Sequence, residues 1–156
     1  MKNFILFIVV SNFFLCSYSA LMPVYLLLSE TGAGKSSFIN WIARSNLAEE
    51  GHGLFSKTKL PQTFLIDGKL FIDTPGILDT DGLTDKEIFK LIQTEILRVR
   101  EKYGVDSLSG IIVMINGKNG RMRVKDNILA AMKMFGLDSL NSIVIAINMV
   151  ESLTLQ

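Results

Sequence analysis

Short apolar runs alternate with helix-like stretches along this sequence. The runs at 24–28, 110–116 and 142–148 are almost continuously apolar, which is typical of strands buried on both faces of a parallel sheet. Two further runs, 63–66 and 69–73, flank an Asp-Gly dipeptide that is typical of a β-hairpin turn.

Helices are predicted between these strands. Apolar residues recur at helical spacing in 37–46, a capping box at 84–87 opens a long amphipathic helix that ends near Gly104, and 124–135 precedes another glycine. Strands that alternate with helices predict an α/β fold with a mostly parallel sheet. Ligands of such sheets bind at the carboxyl ends of the strands.

Composition narrows the possible functions. The chain has 156 residues, enough for one domain with one core. Its 16 basic and 15 acidic residues give a net charge of +1, so we expect no nucleic-acid partner. A single cysteine excludes a disulfide framework and a zinc site built from several thiolates. Function must therefore depend on local motifs.

Residues 1–22 form a hydrophobic segment ahead of a predicted domain at 23–156. The stretch 4–16 is almost continuously apolar and follows Lys2, and small residues precede Ala20, as in a signal peptide. As a helix, residues 4–22 would span about 28 Å, which suits a membrane anchor nearly as well. A third interpretation is extra or wrongly assigned sequence.

The segment SETGAGKSS, residues 29–37, follows the first strand and matches the phosphate-loop pattern G-x-x-x-x-G-K-[ST] except at Ser29. Backbone N–H groups and a helix N-terminus can surround a β-phosphate there, Lys35 would contact the β- and γ-phosphates, and Ser36 would ligate Mg²⁺. A positive φ at Ser29 would cost about 1 kcal/mol relative to glycine. The predicted nucleotide-binding residues of the loop are Glu30, Thr31, Gly32, Ala33, Gly34, Lys35, Ser36 and Ser37.

A second motif, Asp73-Thr74-Pro75-Gly76, ends the strand at 69–73. An aspartate at the carboxyl end of a strand beside the phosphate loop can hold Mg²⁺, usually through water, and the Gly76 N–H can donate to a γ-phosphate. Read alone, the motif is an ordinary Pro-Gly turn. Its position after a phosphate loop favours the functional reading.

Two further positions bear on hydrolysis. Thr58 is the candidate switch residue that would close over Mg²⁺ and the γ-phosphate, although its loop also reads as a solvated Lys/Thr segment. Lys35 and Thr58 are therefore the candidate catalytic residues. Ile77 stands where Ras-like GTPases carry the glutamine that orients the attacking water. Hydrolysis should be slow, or should need a group from another subunit or partner.

The sequence resembles the G domain of AIG-type, immunity-associated nucleotide-binding GTPases, which are related to septins and chloroplast import receptors. The resemblance covers 24–151 and depends on SETGAGKSSFIN, FIDTPGILDT and the NGKNGR loop before KDNILAAMKMFG. It implies a three-layer, Ras-like P-loop NTPase fold that binds GTP or GDP with Mg²⁺. It also implies GTP-dependent self-association, as a homodimer or oligomer through the nucleotide face, at membranes.

The C-terminal part departs from the family pattern. The resemblance implies a guanine-reading N/T-K-x-D motif after the last strand, where this chain has Asn148-Met149-Val150-Glu151. Asn148 and Glu151 are the candidate base contacts, and an ordinary turn is the alternative. The sequence stops at Gln156, before the last strand and helix that the resemblance implies. We therefore expect a G domain that is incomplete at its C-terminal end.

Three functions remain open at this stage. The first is a slow GTPase whose nucleotide state controls conformation or self-association; the others are a truncated, non-catalytic interaction module and an ATP-binding P-loop enzyme. Because saturating nucleoside triphosphate and Mg²⁺ are cytosolic, we expect the cytoplasm or the cytosolic face of a membrane, reached through residues 4–22. Secretory routing to the ER by a signal peptide is the alternative.

Overall fold

The structure, a computed structural model, describes residues 22–49, 60–77, 84–116, 124–136 and 143–148. Within these ranges the chain forms five strands and three helices. Their bounds are β1 Val24–Leu28, α1 Lys35–Ala43, β2 Gln62–Ile66, β3 Lys69–Asp73, α2 Asp85–Tyr103, β4 Gly110–Asn116, α3 Val124–Phe135 and β5 Ile143–Asn148.

The strands form one sheet in the order β2-β3-β1-β4-β5. β1 pairs in parallel with β3 and β4, and β4 pairs in parallel with β5, whereas β2 runs antiparallel to β3. The turn between β2 and β3 places Asp67 and Gly68 at φ 46° and 73°, the left-handed conformation that a tight hairpin turn requires. The predicted hairpin and the mostly parallel sheet are both confirmed.

Helices cover both faces of the sheet, so the domain has three layers. Alternate residues of β1 face opposite sides. Leu26 and Leu28 belong to the apolar cluster beneath α2 and α3, and Leu27 belongs to the cluster beneath α1. Two cores on either side of one buried sheet explain why the strands read as continuous apolar runs rather than as alternating ones.

Both ends of α2 follow local sequence signals, whereas α1 ends where a residue other than glycine takes the left-handed conformation. The capping box at Thr84 and the left-handed Gly104 that ends α2 are both present, as predicted. The predicted extension of α1 to residue 46 is wrong, because α1 ends at Ala43. The buried side chain of Asn40 donates to the Ala48 carbonyl at 2.9 Å and accepts from the Ala48 N–H at 2.7 Å, which holds the following loop against the helix.

A buried carboxylate joins α2 to the edge strand β2. Glu95 is 8% exposed and accepts hydrogen bonds from the Thr63 hydroxyl and, at 2.7 Å through both oxygens, from the Arg98 guanidinium. Burial alone would raise the pKa of Glu95, but the hydrogen bonds from Arg98 and Thr63 and the charges of Arg98 and Lys102 outweigh it and lower that pKa below its ordinary value. Glu95 therefore stays ionised while it is buried.

The predicted signal peptide or anchor falls almost entirely on residues 1–21, which lie outside the described ranges. Among the helices that the structure does describe, none combines the length and the apolar character needed to cross a bilayer.

Candidate functional site

The loop between β1 and α1 has the backbone of a phosphate-binding loop. Gly32 and Gly34 adopt φ values of 76° and 89°, a region that glycine enters without a steric penalty. Gly34 also caps α1, and no side chain fills the cap. The N-terminus of α1 therefore lies at this loop, where the helix dipole favours negative charge.

The prediction of a strained backbone with positive φ at Ser29 is wrong. In the described ranges Arg44 and Asp67 are the non-glycine residues with positive φ, so Ser29 has an ordinary backbone conformation. Its side chain is fully buried, and its hydroxyl donates to the Glu30 carbonyl at 2.8 Å. Serine in place of the motif's glycine therefore adds a buried hydroxyl to the loop and leaves the backbone unstrained.

Lys35 is held inside this loop. The residue is buried, at 7% exposure, and its ammonium donates to the Ser29 hydroxyl at 2.9 Å and to the carbonyls of Ser29 and Glu30 at 3.4 Å each. An ammonium desolvated to this degree is a strong partner for an anion, because the interaction of charges grows as the surroundings become less polar.

Ser36 and Asp73 meet across the loop, although 37 positions separate them in the chain. The Ser36 hydroxyl donates to Asp73 Oδ2 at 2.9 Å, and Asp73 is 2% exposed at the end of β3. A hydroxyl and a carboxylate are hard oxygen donors that suit Mg²⁺. Within the described ranges, His, Cys, Asp and Glu nowhere gather in threes around a metal position, so Mg²⁺ here would need further oxygens from phosphate and water.

The Asp73-to-Gly76 segment is fastened to the phosphate loop. The Thr74 hydroxyl donates to the Leu27 carbonyl at 2.7 Å, and the Ile77 N–H donates to the Ser29 carbonyl at 2.9 Å. Gly76 lies so close to Thr31 that a Cβ on Gly76 would stand 2.6 Å from the Thr31 nitrogen. The two predicted phosphate-facing motifs are therefore in direct contact.

Two polar contacts of the site cannot be read from the motifs. The bond from Thr74 to β1 depends on strand order, which no local signal reveals. Asn116 ends β4, and its amide donates to the Gly32 carbonyl at 3.4 Å. Asn116 pairs in register with Asn148 of β5. Two asparagines that end adjacent apolar strands are a signal that could have indicated this contact.

The structure brings most of the predicted phosphate-site residues together. The stretch 30–37 forms the loop and the first turn of α1, with Ala33 buried, Gly32 exposed, and Glu30, Thr31 and Ser37 half-buried. Asp73 and Gly76 lie beside it. Thr58 and Glu151 are outside the described residues, and of Asn148 only the backbone, at the end of β5, is described.

Comparison with known proteins identifies the domain. A family model described as "50S ribosome-binding GTPase" matches residues 26–149, which is most of the chain. The chain belongs to this GTPase family. The fold described above is thus that of a GTP-binding G domain. No curated protein is similar enough to this GTPase to count as a match.

Solved structures of the chloroplast protein Toc33 from Arabidopsis thaliana share the fold of the G domain. The GDP- and Mg²⁺-bound structure is 17% identical, with a TM-score of 0.55, over 78% of this chain and 48% of that one. A dimerization-deficient mutant is 15% identical, with a TM-score of 0.57, over 79% of this chain and 49% of that one. This GTPase chain thus spans about half the length of these relatives. The predicted Ras-like α/β fold is confirmed.

Proposed function

We propose that this G domain is a Mg²⁺-dependent GTP-binding protein of the AIG type, a slow GTPase whose nucleotide state controls conformation or self-association. The observation that carries the proposal is the convergence of Lys35, Ser36 and Asp73 at the carboxyl ends of β1 and β3. Lys35 would hold the β- and γ-phosphates, and Ser36 and Asp73 would hold the metal. Mg²⁺ would neutralise charge on the phosphate oxygens.

The AIG assignment has support from sequence and fold together. The AIG-type family is related to chloroplast import receptors, and the Toc33 structures share this fold, one of them with GDP and Mg²⁺. For another solved structure of this fold, dimerization is described as important for the GTPase activity of the chloroplast translocon components atToc33 and psToc159. Self-association of this chain through its nucleotide face follows as part of the proposal.

Slow hydrolysis follows from Ile77. Its side chain is fully buried in the core cluster beneath α2, and it has no group that could orient water. The water-orienting group would therefore come from a partner copy, or Thr58 and Lys35 would act without it. The same observation favours a second candidate, a non-catalytic G domain that acts as an interaction module.

Nucleotide titration separates the candidates. Fluorescent GTP, GDP and ATP would be titrated with and without Mg²⁺ into the wild type, Lys35→Ala and, as an exposed-lysine control, Lys90→Ala. We expect tight, Mg²⁺-dependent GTP binding that falls at least about tenfold in Lys35→Ala, since charged hydrogen bonds are lost, and stays unchanged in Lys90→Ala. Preference for ATP supports the ATP-binding enzyme, and absence of binding supports the interaction module.

Location is proposed on the same grounds. A GTP- and Mg²⁺-dependent domain works where both are abundant, so we place the chain in the cytoplasm or on the cytosolic face of a membrane, with residues 4–22 as the attachment. Fractionation of cells that express the full chain, compared with a chain lacking residues 2–20, tests this. Recovery of the full chain in the secreted fraction would contradict it.

A further inference from the structure

The side chain of Ser29 occupies a position where the phosphate-loop pattern has none. The pattern G-x-x-x-x-G-K-[ST] begins with glycine. Ser29 has no unusual backbone conformation and is fully buried, so its hydroxyl has a fixed position within the loop. That position is next to the Lys35 ammonium.

The hydroxyl is oriented towards this ammonium by a second bond. The Ser29 proton is donated to the Glu30 carbonyl at 2.8 Å, which leaves the oxygen lone pairs to accept from Lys35 Nζ at 2.9 Å. The carbonyls of Ser29 and Glu30 lie farther from Nζ, at 3.4 Å each. The hydroxyl therefore makes the shortest of these three contacts, and a glycine at position 29 would remove that contact.

A nucleotide would have to compete with this hydroxyl. An ammonium has three N–H donors, and three acceptors of the loop surround the Lys35 ammonium. The Ser29 carbonyl cannot withdraw readily, because the Ile77 N–H is bonded to it at 2.9 Å. The Ser29 hydroxyl can give up the ammonium and keep its bond to Glu30, so it is the contact that a phosphate oxygen would displace.

We propose that Ser29 is a positioning residue that acts through Lys35: its hydroxyl holds the ammonium in the nucleotide-free loop and weakens the binding of guanine nucleotides that carry a β-phosphate. This inference rests on the proposed function. Loss of the hydroxyl should strengthen binding of GDP and of a non-hydrolysable GTP analogue by about fivefold to tenfold, since one charge-assisted hydrogen bond no longer has to be exchanged.

The test compares Ser29→Ala, Ser29→Gly and Ser29→Thr with the wild type. Dissociation constants for GDP and the GTP analogue would be measured with Mg²⁺, beside thermal unfolding of each nucleotide-free protein. Alanine and glycine both remove the hydroxyl but differ at the Cβ, so both should bind about fivefold to tenfold tighter. Threonine keeps the hydroxyl and should bind about as the wild type does. Wild-type affinity in Ser29→Ala overturns the inference.

Two further outcomes are informative. A gain in Ser29→Gly alone would attribute the effect to backbone freedom and would also overturn the inference. If the wild type binds guanine nucleotide and Ser29→Ala does not change the affinity, the role of Ser29 fails while the proposed function stands. If no variant binds guanine nucleotide, both fail together.

Discussion

Replacement of Gly76 by alanine tests the contact between the two motifs of the site. An ideal Cβ on Gly76 would lie 2.0 Å from Thr31 Oγ1, 2.6 Å from Thr31 N and 2.9 Å from Thr31 Cα. The hydroxyl could rotate away, but the other two atoms belong to the backbone and Cα of the phosphate loop. The clash must therefore displace the loop or the Asp73-to-Gly76 segment.

The cost follows from the number of backbone atoms that must move. Overpacking a tight site lowers the free energy of unfolding by about 1–3 kcal/mol. Because this clash is with backbone atoms, we expect a loss of about 2–3 kcal/mol. For a chain of this size that lowers the melting temperature by about 5–10 °C. Because Thr31 precedes the phosphate-binding N–H groups, affinity for GDP should fall as well, by about tenfold or more.

Differential scanning fluorimetry and GDP titration would measure the two effects. Gly68→Ala is the matched control, since Gly68 has φ 73° and nothing within 4 Å of its Cβ position, at the opposite end of β3. It should cost about 1 kcal/mol through backbone strain and leave GDP affinity unchanged. The double variant with Thr31→Ala should recover little, because the nitrogen and Cα remain. Wild-type melting and affinity in Gly76→Ala would refute the reasoning.

Two further predictions concern the elements that support the site. Asn40→Ala leaves the buried N–H and carbonyl of Ala48 without their side-chain partner, so the free energy of unfolding in urea should fall by about 2–3 kcal/mol, whereas the exposed Asn46→Ala should change it by less than about 0.5 kcal/mol. Folding lowers the pKa of Glu95 from 4.5. The stability that ionised Glu95 contributes is therefore complete at pH values above its pKa in the unfolded chain, and it is lost as the pH falls through its lower pKa in the folded chain. Glu95→Gln should flatten that part of the stability profile, and the exposed Glu101→Gln should leave it unchanged; equal slopes for the two variants would exclude this role for Glu95.

Most elements of the fold could be predicted because their signals are local. The apolar run of β1, the Asp67-Gly68 turn and the capping box at Thr84 each depend on residues a few positions apart. The end of α1 could not be predicted in the same way, because the helix is capped by Arg44 in the left-handed conformation, at φ 53°. No glycine marks that position in the sequence as the end of a helix.

The residues of the candidate site could be predicted from the sequence, but some of the contacts between them could not. Motif spacing indicated Lys35, Ser36 and Asp73, which the structure brings together. The bond from Thr74 to β1 was not predictable, because it requires knowing that β1 and β3 are neighbours. The prediction of strain at Ser29 was wrong because it assumed that a serine must take the positive φ that the motif's glycine allows. The backbone of Ser29 does not have a positive φ.

Under the proposed function, Ile77 would connect the terminal-phosphate site to the interior of the domain. Its N–H is bonded to the carbonyl of Ser29, while its side chain lies in the same apolar cluster as Ile88 and Ile92 of α2. Interiors packed at crystal-like density transmit displacement instead of absorbing it. A nucleotide that pulled Gly76 by a fraction of an ångström would therefore also shift Ile77. Because Ile77 packs in the same cluster as α2, that shift would displace the helix as well.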